Sequence, residues 1–354
     1  MRKFLSILLF ISLPLITLPY YTAYAGLENG DVVLSKRADK KRAVASLAKL
    51  MTAIVVLDAV DKKEITLNDL VRINESVNVG ESSVPLNGGD RISVYDLLAS
   101  TLIYSANNSA TALAIYVSGD VRSFVKRMNE KAKEFGMKDT MYYTPTGLPT
   151  SNTHKRLDTS TAKDQYILAK KALEDKRIIT ITNQKYVNIK GRYYKSRNQI
   201  LGKNGNFGLK TGFHLSAGFN MIGTYKINNM DLIVVTMGDL SLKARFDSQL
   251  KISGNYKKMM KKIHDKESIF STIPVKESKE KNINTQLEKD FYYHKSNIKE
   301  EVEMKDLKGA IKKGDKVGVL KIYNENKKLI TTINILAMTG ATNLSPWDKI
   351  KGLF

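Results

Sequence analysis

The sequence predicts a mixed α/β (α+β) protein, in which an antiparallel sheet flanked by helices is followed by a small all-β domain. Up to residue 263, helix-length apolar segments recur, and strand-like segments such as residues 218–227 and 230–239 lie among them. The pair Asn228-Asn229 between those two strands favours a hairpin turn. Over residues 264–340, short alternating segments with glycine turns predict the all-β domain. An apolar content of 42% in 354 residues is enough for both cores.

The first 25 residues have the pattern of a secretory signal peptide. Arg2 and Lys3 form a basic start, Phe4 to Leu13 an apolar centre, and Ala23-Tyr24-Ala25 a small-x-small cleavage site. We therefore expect this segment to be cleaved and to lie outside the fold, with an uncleaved N-terminal anchor as the alternative. No later segment is long and apolar enough to cross a membrane. The pattern predicts export to the periplasm or to the outer face of the cytoplasmic membrane.

The amino-acid composition limits the kinds of site and binding partner that the protein is expected to have. Cysteine is absent, and the four histidines show neither HExxH nor paired spacing, so we expect no metal and no cofactor. The formal net charge of +22 is typical of nucleic-acid binding, but export argues against nucleic acid as a partner. Anionic envelope polymers or phospholipid surfaces are the more plausible counter-charges, and a lysine-rich solvated surface is the simpler explanation.

The elements of the first half follow in order after the leader. Residues 31–35, "DVVLS", predict a strand, and the apolar run from Ser46 to Val60 predicts a helix that begins near Ser46. Residues 71–93 are rich in glycine, serine and asparagine, which predicts a long loop and a wall of a binding site. The polar run 105–109 separates two apolar helical segments, and a break of this kind predicts a cleft.

The elements of the second half alternate between helix and strand. Residues 121–137 and 160–175 have the spacing of amphipathic helices, and residues 185–191 have that of a strand. At the end of the chain, residues 341–354 form a separate tail, in which Trp347, Ile350, Leu353 and Phe354 lie on one side of a short helix. This tail is expected either to lie on a membrane surface or to pack on the β-domain.

Three short motifs carry the chemistry. They are Ser46-Leu47-Ala48-Lys49, Ser105-Ala106-Asn107 and Lys210-Thr211-Gly212. Each occurs often by chance. In this order they match the S-x-x-K, S-D-N and K-T-G set of β-lactamases and penicillin-binding proteins, with alanine in place of the aspartate. Helix spacing of three brings Lys49 onto the face of Ser46, where a neutral lysine can activate a serine hydroxyl.

The chain resembles the serine D-alanyl-D-alanine carboxypeptidases, the low-molecular-weight penicillin-binding proteins, over nearly its whole length after the leader. The three motifs carry this resemblance, and further stretches agree with it: "TPTGL" at 144–148, "STAKD" at 160–164, "KSRNQIL" at 195–201, "GLKTGF" at 208–213, "SAGFN" at 216–220, and Arg245 after "MGD". Residues 310–323, "AIKKGDKVGVLKIY", resemble the C-terminal β-domain of that family. The resemblance implies a DD-peptidase-like domain over residues 26–263.

The resemblance also implies roles for the matching residues. Ser46 would be the nucleophile and Lys49 its base, and Ser105 would relay a proton to the leaving amine. The substrate-binding residues would be Asn107, Lys210, Thr211, Gly212, Phe213, Arg197 and Arg245. Asn107 would hold Lys49 and the substrate amide, and the backbone N–H groups of Ser46 and Phe213 would form the oxyanion hole. Lys210, Thr211 and Arg245 would receive the substrate carboxylate, and Arg197 would line the cleft. His214, next to this motif, is expected to point to solvent.

The implied activity is removal of the terminal D-Ala from peptidoglycan pentapeptides through an acyl-enzyme, which penicillins and other β-lactams would trap. A class A β-lactamase is a first alternative, but it needs a deacylating glutamate, and no E-x-x-L-N lies between the second and third motifs. A penicillin sensor without turnover and a basic binder of envelope polymers are two others. The intact Ser46 and Lys49 disfavour both of these binding functions.

Overall fold

The computed structural model describes residues 20–345, which form an N-terminal α/β domain and a C-terminal β-domain. The mixed α/β class predicted from the sequence is confirmed. The predicted leader up to residue 19 and the predicted tail from residue 346 lie outside the described residues. Within residues 20–345, no helix is long and apolar enough to cross a membrane.

The N-terminal domain is built on a five-stranded antiparallel sheet with the strand order β2-β1-β11-β10-β9. The other strands form three two-stranded ribbons, β3 with β6, β4 with β5, and β7 with β8. The strands are β1 (Thr22–Leu27), β2 (Val32–Lys36), β3 (Arg42–Ala43), β4 (Leu70–Arg72), β5 (Arg91–Ser93), β6 (Thr159–Ser160), β7 (Tyr186–Ile189), β8 (Arg192–Lys195), β9 (Asn206–His214), β10 (Gly218–Ile227) and β11 (Met230–Asp239).

Helices cover the two faces of this sheet. They are α1 (Ala48–Asp61), α2 (Val94–Ile103), α3 (Asn107–Ser118), α4 (Val121–Glu134), α5 (Thr150–Thr153), α6 (Ala162–Leu173), α7 (Lys176–Thr182) and α8 (Leu242–Met259). Three 3₁₀ turns add to them: Ala45–Leu47, Glu75–Val77 and Lys203–Gly205. Side chains of a strand alternate between faces, and Ile233 and Val235 pack with α1 and α6 while Leu232 and Val234 pack with α8. The sheet is therefore the middle layer of three.

The predicted hairpin between the two long strands is confirmed. β10 and β11 pair from Ile227↔Met230 outward, and Asn228 and Asn229 make the two-residue turn. Both asparagines have a positive φ, 47° and 63°, as the tight turn that matches sheet twist requires. The hairpin carries β10 and β11 through the centre of the sheet, next to the strand that holds the third motif.

The structure corrects the expectation that the first 25 residues lie outside the fold. Residues 22–25 belong to β1, an inner strand that pairs with β2 and β11, and Ala23 and Ala25 are completely buried. The predicted cleavage point after Ala25 falls inside this strand. Small residues at alternate positions fit a cleavage site and a strand packed beneath helices equally well, so the local pattern does not separate the two.

The C-terminal β-domain contains a five-stranded antiparallel sheet of order β13-β14-β18-β17-β16 and a ribbon of β12 with β15. Alternate side chains of the inner strands, such as Leu320, Ile322, Ile333 and Ile335, fill its core. The strands are β12 (Lys261–His264), β13 (Ser271–Pro274), β14 (Asn282–Leu287), β15 (Phe291–Tyr293), β16 (Ile298–Met304), β17 (Lys316–Asn324) and β18 (Leu329–Ala337). The all-β prediction is confirmed, with the first strand beginning at Lys261 rather than at residue 264.

Candidate active site

The predicted nucleophile stands at the start of a buried helix. Ser46 lies in the 3₁₀ turn Ala45–Leu47, which runs directly into α1. Lys49 is in the first turn of α1, and its side chain is completely buried. Because residues three apart lie on the same face of a helix, Lys49 Nζ reaches Ser46 Oγ at 2.9 Å. The two reactive side chains of the first motif are therefore in contact.

Two further oxygen atoms hold the Lys49 amine. The side-chain carbonyl of Asn107 and the backbone carbonyl of Thr146 each lie 2.6 Å from Lys49 Nζ. An ammonium would donate to these two oxygens and to Ser46 Oγ. A neutral amine donates to the two carbonyls and keeps its lone pair for the hydroxyl proton of Ser46. The arrangement therefore suits a lysine that takes a proton from Ser46.

The environment of Lys49 favours the neutral amine. Burial lowers the pKa of Lys49 to about 7, against the opposing attraction of the carboxylates of Asp158 and Glu81. A base is most effective when its pKa lies near the working pH, and at neutral pH a substantial fraction of Lys49 is unprotonated. Burial thus gives Lys49 a pKa that suits the base predicted from the sequence.

The second and third motifs meet across the cleft. Ser105 lies in the turn between α2 and α3, and Lys210 lies in the middle of β9, where its side chain is buried. Lys210 Nζ donates to Ser105 Oγ at 2.8 Å. Burial, followed by the cations Lys49, Arg245 and Arg197, lowers the pKa of Lys210 well below its usual value. Ser105 has a φ of 71°, a left-handed conformation that is uncommon for a non-glycine residue.

Two glycines allow the backbone to approach the nucleophile closely. Gly147 has a φ of 77°, and a Cβ at this position would lie 1.8 Å from the carbonyl oxygen of Ala45. A Cβ on Gly212 would lie 3.1 Å from the backbone nitrogen of Ser46. Strand β9 and the loop before α5 are therefore pressed against the turn that carries Ser46, and only glycine fits at these contacts.

The structure brings the ten predicted site residues together around one cleft of about 260 Å³. Lys49 and Lys210 lie beneath its floor, where their amines contact Ser46 and Ser105. The other eight line it: Ser46, Ser105, Asn107, Arg197, Thr211, Gly212, Phe213 and Arg245. The opposite wall includes Glu81 and Ser82, so the long loop over residues 71–93 does border the site, as predicted.

Arg245 lies at one end of the cleft. It is in the first turn of α8, only 5% exposed, between the rings of Phe219 and Phe246. One guanidinium N–H donates to the carbonyl of Gly212 at 3.4 Å, and its Nε is buried without a hydrogen-bond partner. Burial lowers the pKa of Arg245 to about 10, a value at which the guanidinium stays charged at neutral pH. A buried cation with a free donor can bind an anionic group that enters the cleft.

Arg197 is hydrogen-bonded to the wall of the cleft that contains Ser82. Its Nε donates to the carbonyl of Tyr104 at 3.1 Å and its Nη2 donates to Ser82 Oγ at 3.2 Å, while the guanidinium stacks on the Tyr104 ring. Arg197 therefore holds the loop at Ser82 against the end of α2. This position agrees with the expectation that Arg197 lines the cleft.

The expectation that His214 points to solvent is wrong. His214 ends β9, where its side chain is only 6% exposed and its Nδ1 accepts a hydrogen bond from the backbone N–H of Ala217 at 3.1 Å. Burial lowers the pKa of His214, so the ring is neutral at neutral pH. The imidazole closes the turn between β9 and β10.

Sequence reasoning did not assign roles to three residues that support the site. Thr146 supplies the carbonyl that holds Lys49, and Asp158 accepts hydrogen bonds from the loop that contains Thr146. Asn220 donates to the carbonyls of Ala43 and Val44, just before the nucleophile. Thr146 and Asn220 lie within "TPTGL" and "SAGFN", two of the stretches that carry the family resemblance, so the sequence did indicate these two positions. Asp158 lies outside all of those stretches.

A larger groove of about 470 Å³ lies away from this chemistry, among α1, α4, α6 and α7. Its charged side chains are paired with one another, for example Asp58 with Lys131 and Asp61 with Arg177. It contains none of the three motifs. Among residues 20–345, no group of three or more His, Asp or Glu side chains is placed to hold a metal ion.

The chain was compared with known protein families and with known proteins, and both comparisons found relatives. Residues 25–241 match the peptidase family S11, described as D-alanyl-D-alanine carboxypeptidase, and residues 259–341 match the C-terminal domain of penicillin-binding protein 5. The D-alanyl-D-alanine carboxypeptidase DacF of Bacillus subtilis is 31% identical over 322 residues, which is 85% of this chain and 80% of that protein.

Solved structures are similar as well, one of them over most of the chain. A peptidoglycan synthesis regulatory factor (PBP3) from Streptococcus pneumoniae is 25% identical with a TM-score of 0.70, and the match covers 91% of this chain and 99% of that one. Penicillin-binding protein D2 of Listeria monocytogenes, solved in its ampicillin-bound form, is 32% identical with a TM-score of 0.60 and covers 68% of this chain and 100% of its own. This chain belongs to the D-alanyl-D-alanine carboxypeptidase family of hydrolases.

Proposed function

We propose that this protein is a serine DD-carboxypeptidase that removes the terminal D-Ala from peptidoglycan stem peptides through an acyl-enzyme on Ser46. Penicillins, which resemble the D-Ala-D-Ala end of the stem peptide, acylate the same serine. The observation that carries this proposal is the 2.9 Å contact between Ser46 Oγ and a completely buried Lys49 whose pKa is lowered to about 7. No cofactor is part of the proposal.

Acylation begins with the neutral Lys49 amine. Lys49 takes the hydroxyl proton of Ser46 as Ser46 Oγ attacks the carbonyl carbon of the penultimate D-Ala. The backbone N–H groups of Ser46 and Phe213 receive the negative oxygen of the tetrahedral intermediate. Removing one such donor typically costs about 3–4 kcal/mol of transition-state stabilisation. The amide carbonyl of Asn107 keeps the Lys49 amine in place during the transfer.

The leaving group then needs a proton. Collapse of the intermediate breaks the C–N bond, and the Ser105 hydroxyl donates its proton to the departing amine of D-Ala. Lys210, which contacts Ser105 Oγ, restores that proton. Water then attacks the Ser46 ester and gives its proton through Ser105 back to Lys210, and Lys49 returns its proton to Ser46 Oγ as the ester bond breaks. Arg245 and Thr211, which line the cleft, provide the cationic and hydroxyl groups where the substrate carboxylate binds, and Lys210 lies beneath them.

The test is D-Ala release from a soluble peptide that ends in Lys-D-Ala-D-Ala, with Ser46→Ala as the control. We expect release and covalent labelling by a fluorescent penicillin from the wild-type protein alone. Labelling without release would instead indicate a penicillin sensor, and labelling of the Ser46→Ala variant would refute the assignment of the nucleophile.

We also propose that the protein works in the bacterial cell envelope, outside the cytoplasmic membrane. The basic and apolar start of the chain supports export, and the net charge of +22 supports contact with anionic surfaces. The apolar side of the tail, residues 345–354, would bind the membrane surface. Removing this tail should lower the membrane-bound fraction without changing peptide turnover, and an unchanged fraction would argue against the tail as an anchor.

A further inference from the structure

Asp158 is a buried carboxylate close to the site with no part in the mechanism above. It directly precedes β6, and it is only 2% exposed. Its two carboxylate oxygens accept hydrogen bonds from the backbone N–H groups of Tyr143 and Thr144 and from the hydroxyl of Thr144. A buried carboxylate is costly unless it is bonded in this way, so its position requires an explanation.

The hydrogen bonds of Asp158 lead to Lys49 through one loop. Thr144 Oγ1, which donates to Asp158, accepts the N–H of Gly147 at 2.8 Å and so folds residues 144–147 into a tight turn. That turn directs the backbone carbonyl of Thr146 to Lys49 Nζ at 2.6 Å. The carboxylate of Asp158 therefore shapes the loop that holds the base.

The backbone of Asp158 reaches the other side of the same site. Its carbonyl oxygen accepts a hydrogen bond from the N–H of Val44 at 3.0 Å, two residues before Ser46. Asp158 is thus tied both to the segment that enters the nucleophile turn and to the loop that contacts Lys49.

Asp158 also contributes charge. The charged groups that act on Lys49 are Asp158 and Glu81, which favour the ammonium, and Lys210, which shares a mutual repulsion with it. Burial raises the pKa of Asp158 to about 6, against its hydrogen bonds and the attraction of Lys49, so the carboxylate is charged at neutral pH. When Lys49 takes the proton of Ser46, it becomes a buried cation, and a nearby fixed carboxylate stabilises it.

We infer that Asp158 is a positioning residue for Lys49: it shapes the loop that presents the Thr146 carbonyl, and its negative charge stabilises the cation that Lys49 becomes during acylation. This inference rests on the proposed role of Lys49 as the base.

Two substitutions separate the charge from the scaffold. In Asp158→Asn, the amide oxygen still accepts the N–H groups of Tyr143 and Thr144, and the amide nitrogen donates to Thr144 Oγ1, so the loop keeps its shape without the charge. In Thr144→Val, the charge stays but the hydroxyl that links Asp158 to Gly147 is lost. The matched control is Asp164→Asn, a neighbouring buried carboxylate whose hydrogen bonds come from Asp139 and Thr140 rather than from this loop.

The readout is the second-order rate of acylation by a fluorescent penicillin, measured on the full chain from about pH 6 to pH 9, above the pKa of about 6 at which the wild-type Asp158 loses its charge. For Asp158→Asn, the acid side of the profile should move to lower pH, because a lysine that has lost a nearby negative charge releases its proton more easily. The plateau should fall by about tenfold, equivalent to one pKa unit of lost electrostatic stabilisation. Thr144→Val should lower the plateau and leave the acid side in place, and Asp164→Asn should change neither.

An Asp158→Asn profile whose acid side does not move would overturn the inference, even if its melting temperature falls, because that is the behaviour of a merely structural residue. A Thr144→Val variant with a wild-type plateau would overturn the part that concerns the loop. If the wild-type protein itself shows no labelling, the proposed function and this inference fail together, whereas wild-type labelling with an unmoved Asp158→Asn profile refutes this inference alone.

Discussion

Lys210 Nζ lies 2.8 Å from Ser105 Oγ, and both residues are almost completely buried at the base of the cleft. This contact joins the second motif, in the turn before α3, to the third motif on β9. Because burial and the nearby cations depress the pKa of Lys210, its amine is able to give and take protons rather than remain a fixed charge. The pair is therefore placed to act as the proton path of the proposed mechanism, beside the contact between Lys49 and Ser46.

Removing the Ser105 hydroxyl should slow catalysis without unfolding the protein. We expect Ser105→Ala to lower the rate of acylation and of D-Ala release by about 10²–10⁴-fold, the usual worth of a positioned proton donor. Single-turnover kinetics with a fluorescent penicillin and the soluble peptide would measure both. Ser123→Ala, at the exposed start of α4, is the control and should leave both rates unchanged. A Ser105→Ala variant with the wild-type rate would remove Ser105 from the mechanism.

The pKa of Lys49 sets the pH dependence. In the proposed mechanism Lys49 acts only when neutral, and with a pKa of about 7 its neutral fraction falls as the pH drops below 7. Acylation should then decrease by about tenfold for each further pH unit on the acid side. Lys49→Arg should abolish acylation at every pH between 5 and 9, because a guanidinium does not lose its proton in that range. A flat profile for the wild-type protein would contradict the role of Lys49 as the base.

Substitution of Gly147 by alanine can be compared with the same substitution at Gly136. Both have a left-handed φ, 77° and 74°, but a Cβ on Gly147 would overlap the carbonyl of Ala45, whereas a Cβ on Gly136 has no neighbour within 4 Å. We expect Gly136→Ala to cost only about 1–2 kcal/mol of stability from its backbone conformation, with acylation intact. Gly147→Ala should displace the turn that carries Ser46 and abolish acylation. Urea unfolding and penicillin labelling of the two variants test this, and equal labelling would show that the close contact is dispensable.

Arg245 should be important only for substrates with a free carboxylate. Losing a hydrogen bond to a charged group costs about 1.5–3 kcal/mol, so Arg245→Gln should lower kcat/KM for the peptide acid by about 10–100-fold. For the same peptide with a C-terminal amide, the wild-type and variant rates should be similar. Steady-state assays with both peptides give this comparison directly. An equal loss for acid and amide would indicate that Arg245 acts on the packing of Phe219 and Phe246 instead.

The position of β1 predicts where the mature chain can begin. A protein that starts at Tyr20 keeps the whole strand, whereas one that starts at Gly26 loses the pairing of residues 22–25 with β2 and β11. We expect the first to fold cooperatively and the second to aggregate or to melt at a much lower temperature. If the leader is cleaved, as the proposed export implies, mass spectrometry of the protein isolated from cells should find an N-terminus at or before residue 20. A stable, active protein that begins at Gly26 would contradict this prediction.

The sequence by itself predicted what depends on short-range geometry. The three-residue spacing of Ser46 and Lys49 is converted into a contact by helix periodicity alone, and the pair Asn228-Asn229 specifies the hairpin that carries β10 and β11. The three motifs predicted one site because, in this order, they resemble the S-x-x-K, S-D-N and K-T-G set of the penicillin-binding proteins, in which these residues act together.

Only the tertiary structure decided the features that depend on distant segments. Asp158 is 109 positions from Lys49 along the chain, and nothing near it in sequence shows that its carboxylate shapes the loop that holds this amine. Ala23 and Ala25 fit a cleavage site by size, and only the strands beside them show that they are buried in a sheet. Burial and long-range hydrogen bonds are properties of the packed chain, which is why a local pattern did not reveal them.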